Sequence, residues 1–116
     1  MQECIFCKII SGVIKTDLIY ADDHIVAFKD ISPQAPVHIL IIPKLHISTL
    51  NDTSAEHQNL LGHIMLVAKQ LANKEGIAES GYRTIMNCNA DGEQSVFHIH
   101  LHLLGGKRLG GRLVRS

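Results

Sequence analysis

The stretch Ser95-Val96-Phe97-His98-Ile99-His100-Leu101-His102-Leu103-Leu104-Gly105-Gly106 constrains this chain more than any other. His98, His100 and His102 alternate with Phe97, Ile99, Leu101 and Leu103, the two-residue period of a β-strand. That period turns the imidazoles to one face and the apolar side chains to the other. Each imidazole carries two ring nitrogens that need partners or water, so three on one face make costly filler. Three readings are open: a strand with a wet histidine side, a set of metal ligands, or a catalytic cluster. In the last, one imidazole attacks while its neighbours position and stabilise the reacting centre.

The rest of the chain supplies a frame for that strand. Ile5, Phe6, Ile9 and Ile10 have helical spacing, which predicts a short helix over Cys4–Ile10 stopped at Gly12. Leu18–Ala21 and Ile25–Phe28 flank the polar turn Asp22-Asp23-His24 and read as a hairpin. Pro33 and Pro36 make Ser32–Pro36 a structured loop. Val37–Ile42 follows as a central strand ended at Pro43, with His38 its only ionisable side chain. Thr53-Ser54-Ala55-Glu56 fits a capping box opening a helix to about Lys74 or Glu75. On that helix Leu60, Leu61, Ile64, Val67, Ala68, Leu71 and Ala72 form one core-facing stripe, and Gly76 is a left-handed cap. Tyr82–Cys88 is the fourth strand, Asn89-Ala90-Asp91-Gly92 a loop, and the histidine strand the fifth. The order predicts an α+β domain: a five-stranded antiparallel sheet with one long helix and a short N-terminal helix.

Residues 1–116 are read as one domain, with a C-terminal tail over 104–116 that is basic and glycine-punctuated. Lys plus Arg and Asp plus Glu cancel at 11 each, which argues against nucleic acid or a membrane surface as partner. Neither a leader-like start nor a membrane-length apolar run is visible, and three cysteines suit a reducing compartment, so the expected location is the cytoplasm.

His98 to Leu104 fits the pattern His-φ-His-φ-His-φ-φ, φ being apolar, at every position. With Asp30-Ile31-Ser32-Pro33-Gln34-Ala35-Pro36-Val37-His38 and Gly92-Glu93-Gln94-Ser95, it closely resembles the histidine-triad family, in its nucleotide-binding (Hint) branch, from about Cys4 to Gly106. The resemblance implies a purine nucleoside phosphoramidate hydrolase working through a nucleotidyl-histidine. Its alternatives are a dinucleoside polyphosphate hydrolase, or a nucleotide-binding module with little turnover. By the same resemblance His100 is the nucleophile, His102 donates to the phosphate, His38 completes the polar cluster, and Ser95, Asn87 and Gly92 contact the phosphate side. Asp30 would hold the ribose hydroxyls, and Ile5, Phe6, Ile9, Phe28 and Ile31 would cradle the base of a purine nucleotide. A two-fold homodimer is implied, pairing the sheet edge around Tyr82 to Cys88.

No cofactor is expected for catalysis. Relatives with the Cys-x-x-Cys pair close a structural zinc site with two histidines, which here would be Cys4, Cys7, His46 and His98. Two positions depart from the pattern: the residue after Gly92 is Glu93 where the branch has glycine, and the tail lacks the tryptophan of some relatives.

Overall fold

The structure is a computed structural model that describes residues 4–111. Its elements are α1 (Ile5–Ser11), β1 (Leu18–Ala21), β2 (Ile25–Lys29), β3 (Val37–Pro43), α2 (Gln58–Lys74), β4 (Tyr82–Ile85) and β5 (Leu101–Gly105). The five strands form one antiparallel sheet in the order β1-β2-β3-β5-β4, as the α+β reading expects.

Alternation along the central strands builds two apolar layers. Ile25, Ala27, Ile39, Ile41, Leu101 and Leu103 face α2 and bury its stripe of Ile64, Val67, Ala68, Leu71 and Ala72. Val26, Phe28, Leu40 and Ile42 face the opposite way and pack with Phe6 of α1. His38 shares the second face with Leu40, and the β3–β5 register pairs Leu40 with His102 and His38 with Leu104. The two histidines are therefore diagonal neighbours across the ladder, within reach of each other.

The short α1 is held at both ends. The Cys4 sulfur accepts the Cys7 amide at 3.3 Å, and Gly12, at φ 87°, turns the chain away while its amide donates to Ile9. A left-handed residue is cheap there only for glycine. Helix α2 ends in the same chemistry: Gly76 at φ 76° lets its own amide reach Asn73 and that of Ile77 reach Ala72.

Four expectations need correction. The capping box does not form on Thr53, whose hydroxyl donates to the Leu50 carbonyl at 2.7 Å. Instead Thr49 pairs with Asp52, and Ser54 with His57, capping two short 3-10 turns ahead of α2. The histidine segment becomes a strand only at Leu101. In the β3–β5 register the next partner of Pro43 would be Ile99, but proline offers no N–H, and the Ile99 amide donates to Ile47 at 2.8 Å. His98 and His100 thus precede the strand, and Phe97, expected on the buried side, is 46% exposed. The fourth strand stops at Ile85 for a related reason: beyond it β5 has too little length left to pair with Met86–Cys88. The tail expected from residue 104 begins later, since Leu104 and Gly105 complete β5; Lys107–Gly111 is irregular, and residues 112–116 lie outside the described residues.

Candidate active site

On the α1 side of the sheet the imidazoles of His38, His100 and His102 open into a cleft of about 530 Å3 with Asn87, Ser95 and Glu93. His100 is 5% exposed, and the edge of Phe6 meets its ring at a centroid distance of 5.1 Å. Its Nδ1 lies 2.8 Å from the His98 carbonyl oxygen, which only an N–H can satisfy. The proton is therefore on Nδ1, and Nε2 of the neutral ring carries the lone pair.

The other two rings are ordered by a chain of donors. The Gln34 amide donates to His38 Nδ1 at 3.1 Å, which leaves the His38 proton on Nε2. That atom lies 2.9 Å from His102 Nδ1 and 3.4 Å from Asp30 Oδ2. Donation to His102 Nδ1 puts the proton of neutral His102 on Nε2, available to a ligand. A nucleophilic nitrogen on one ring and a donor on the next are what transfer of an acyl or phosphoryl group requires.

Burial favours the neutral form of His100 and His102. It pushes His100 below the usual histidine range, against the raising effects of the His98 carbonyl and of the Asp30 charge. His102 is lowered to about 4, by burial first and then by His100 and His38, with Asp30 opposing.

The loop after β4 closes the cleft. Asn87 spends one amide N–H on the Gly92 carbonyl at 2.6 Å, bracing the loop as well as lining the cleft. Gly92 has no alternative at its position, since a Cβ there would stand 2.6 Å from the Cys88 carbonyl oxygen. Gln94, 8% exposed, accepts the Asn89 amide and donates to the carbonyls of Ser48 and Val96. Asp30 uses Oδ1 to accept the Ser32 amide at 2.8 Å and turns Oδ2 toward His38.

The expected base pocket is gathered less completely. Phe6 and Phe28 are buried with their rings edge-on at 5.8 Å, and Ile9 packs against them. Ile5 and Ile31 lie outside that cluster, 47% and 97% exposed. Sequence reasoning missed Gln34, Arg83 and Leu109 in the lining and Gln94 as the loop's brace. Gln94 and Gln34 at least stand inside the quoted segments, whereas Arg83 on an edge strand reads as a solvated charge.

A second cluster lies around His98, whose ring centroid is 5.8 Å from that of Phe6. Cys4 Sγ is 3.4 Å and Cys7 Sγ 3.6 Å from His98 Nδ1, Cys7 Sγ is 3.3 Å from His46 Nδ1, and the two Nδ1 atoms are 3.1 Å apart. A tetrahedral zinc with ordinary bond lengths has S–N edges of about 3.5 Å and an N–N edge of about 3.3 Å, so the four groups fit one ion. His98 Nε2 donates to the Pro43 carbonyl at 2.7 Å, which leaves the Nδ1 lone pair free toward the other three groups. His98 thus belongs to this cluster, and the triad divides its work.

Comparison with known proteins agrees with this geometry. The family described as "Scavenger mRNA decapping enzyme C-term binding" matches residues 3–112. A protein of Escherichia coli K12 named purine nucleoside phosphoramidase is 58% identical over 115 residues, 99% of this chain and 97% of its own. Among solved structures, a histidine-triad (HIT) family hydrolase from Legionella pneumophila superposes with a TM-score of 0.93 at 50% identity, covering 95% of this chain and 98% of that one. Another, from Clostridium thermocellum, gives 0.94 at 43% identity, covering 98% and 99%. With the histidine pattern, the five-stranded sheet and these relatives all in agreement, the chain belongs to the histidine-triad family.

Proposed function

We propose that this protein hydrolyses purine nucleoside phosphoramidates, as a member of the Hint branch, through a nucleotidyl-histidine formed on His100. The observation that carries the reading is the bond from His100 Nδ1–H to the His98 carbonyl, which leaves Nε2 free to attack. The E. coli relative's name supplies the substrate class.

In the first step His100 Nε2 bonds to phosphorus as the P–N bond breaks, and the departing nitrogen takes up a proton from solvent water, which the water that attacks in the second step gives back. His102 Nε2–H, set by His38 and Gln34, donates to the phosphoryl oxygens as charge develops. In the second step water displaces the imidazole, releasing the nucleoside monophosphate and restoring His100. Ser95 and Asn87 contact the phosphate side, and Gly92 lets the loop's amides approach it. Asp30 accepts from the ribose hydroxyls, and Ile5, Phe6, Ile9, Phe28 and Ile31 take the base.

Incubation with adenosine 5′-phosphoramidate tests this. AMP and ammonia should accumulate catalytically; tight binding without turnover would leave a nucleotide-binding module instead.

Cys4, Cys7, His46 and His98 hold a structural zinc in this reading, tying α1 to the sheet beside Phe6 and taking no part in the chemistry. Protein purified without chelator should carry about one zinc per chain, lost in a Cys4→Ser, Cys7→Ser variant; metal-free protein would return the four to ordinary packing. The exposed edge of β4 pairs with a second copy across a two-fold axis, and a scattering mass of one chain would contradict that. A cytoplasmic location is part of the same reading, supported by Cys4, Cys7 and Cys88 forming no disulfide, as suits a reducing compartment; among the described residues no helix is long and apolar enough to cross a membrane.

A further inference from the structure

Glu93 stands in the wall of a cleft that must accept a phosphate, and nothing in the chemistry above uses it. Its backbone is at φ 65°, a left-handed conformation that a side chain with a Cβ rarely adopts. The loop imposes that conformation: the Glu93 amide donates to Ala90, that of Gln94 to Asn89, and Asn87 clamps the Gly92 carbonyl between them. Among the described residues the Glu93 carboxylate makes no ion pair.

The cleft has two charged walls. Arg83 lies two residues along β4 from Ile85, the partner of His102, and its guanidinium donates to the Gly110 carbonyl on the tail side. Glu93 lies beyond the other end of β4, beside Ser95. In an in-line displacement the departing nitrogen lies opposite His100 Nε2. Of the two walls, the Arg83 guanidinium is engaged by the Gly110 carbonyl, whereas the wall of Asn87, Glu93 and Ser95 presents a carboxylate with no ion-pair partner among the described residues and is the one open to a charged amine. A carboxylate there opposes the phosphate's own charge unless a cation lies between them.

We propose that Glu93 is a specificity-determining residue that reads a second, positively charged group on the departing amine. The favoured substrates are nucleoside 5′-phosphoramidates of diamines, joined to phosphorus through one nitrogen and bearing an ammonium a few carbons away. The proposal rests on phosphoramidate hydrolysis as the reaction of this site. An exposed ion pair of this kind is worth about fivefold in kcat/KM, and salt screens it.

The test compares adenosine 5′-phosphoramidates of diaminobutane and of pentylamine, in which a methyl replaces the ammonium. Wild-type protein should prefer the diamine about fivefold at low ionic strength, and the preference should shrink as salt is added. Glu93→Gln keeps the size and the backbone conformation but removes the charge, so its ratio should fall to near one; Glu93→Asp should keep most of the preference, and Glu93→Lys should reverse it. Equal ratios in wild type and Glu93→Gln, with both substrates hydrolysed, would overturn the role of Glu93 alone. Failure to hydrolyse either substrate would overturn the phosphoramidate reading, and this inference with it.

Discussion

Which nitrogen of each imidazole carries the proton follows from backbone groups that no histidine pattern records. His100 is fixed by the carbonyl of His98, and His38 by the amide of Gln34, which then orders His102. A substitution that moved either backbone group would change the tautomer without touching a histidine. Asp30 has one oxygen committed to the Ser32 amide and the other turned to His38. Asp30→Ala should weaken ribonucleotide binding by about 1–3 kcal/mol more than 2′-deoxynucleotide binding, since only the former loses acceptors for its hydroxyls. Calorimetric titration of AMP and its deoxy analogues checks this, and equal weakening would remove Asp30 from the ribose site. At this scale the sequence singled out His38, Asn87, Ser95, His100 and His102, which the fold gathers at one cleft, but not Gln34, Arg83 or Leu109, and it named Ile5 and Ile31, which lie outside the apolar cluster. The proton positions were not legible in it, because they depend on Gln34 and His98 backbone groups brought in by folding.

Among the elements, the β1–β2 turn is tied to α2 by one carboxylate. Asp22 accepts from the Tyr20 hydroxyl at 2.6 Å and, through the same oxygen, lies 2.7 Å from His63 Nε2, while its other oxygen accepts the amides of His24 and Ile25. Burial raises its pKa, but these hydrogen bonds outweigh that and hold it well below the usual carboxylate range. A depressed carboxylate stabilises the fold above its unfolded value of 3.8 and loses that contribution as pH falls toward the folded value. Asp22→Asn should therefore cost roughly 1–3 kcal/mol at pH 7 and much less near pH 2. Urea titrations at the two pH values measure this; an equal cost at both would show that the charge is not what matters. The hairpin, both helices and the succession of strands along the chain were legible because period and turn residues are local signals. The ends of β4 and β5 were not, because strand length is set by the partner: Pro43 and the Ile47 carbonyl end the ladder from elsewhere in the chain. The start of α2 was missed for a different reason. Thr49, Thr53 and Ser54 all offer capping hydroxyls, and only tertiary placement chooses among them.

For the molecule as a whole, the sheet separates two tasks: α2 covers one face with a plain apolar core, and α1 shares the other with the histidines. Burying neutral histidines makes the fold sensitive to mild acid. His102 has its pKa lowered from 6.5 to about 4, so below 6.5 the unfolded chain binds a proton that the folded one refuses. Its contribution is full above pH 6.5 and declines as pH falls toward 4. Thermal melts should show Tm dropping across that window, with a smaller drop in His102→Gln; identical pH profiles in the two proteins would contradict the assignment. The central claim, that His100 carries the nucleotide during turnover, is tested most directly by mass spectrometry after an alkaline denaturing quench, which preserves a P–N bond, with an adenosine phosphoramidate. The account predicts one adenylyl group on the peptide containing His100. It also predicts that His100→Ala loses both the adduct and at least about 10³-fold in turnover while still binding AMP. Near-normal turnover by His100→Ala, or an adduct on another residue, would contradict it.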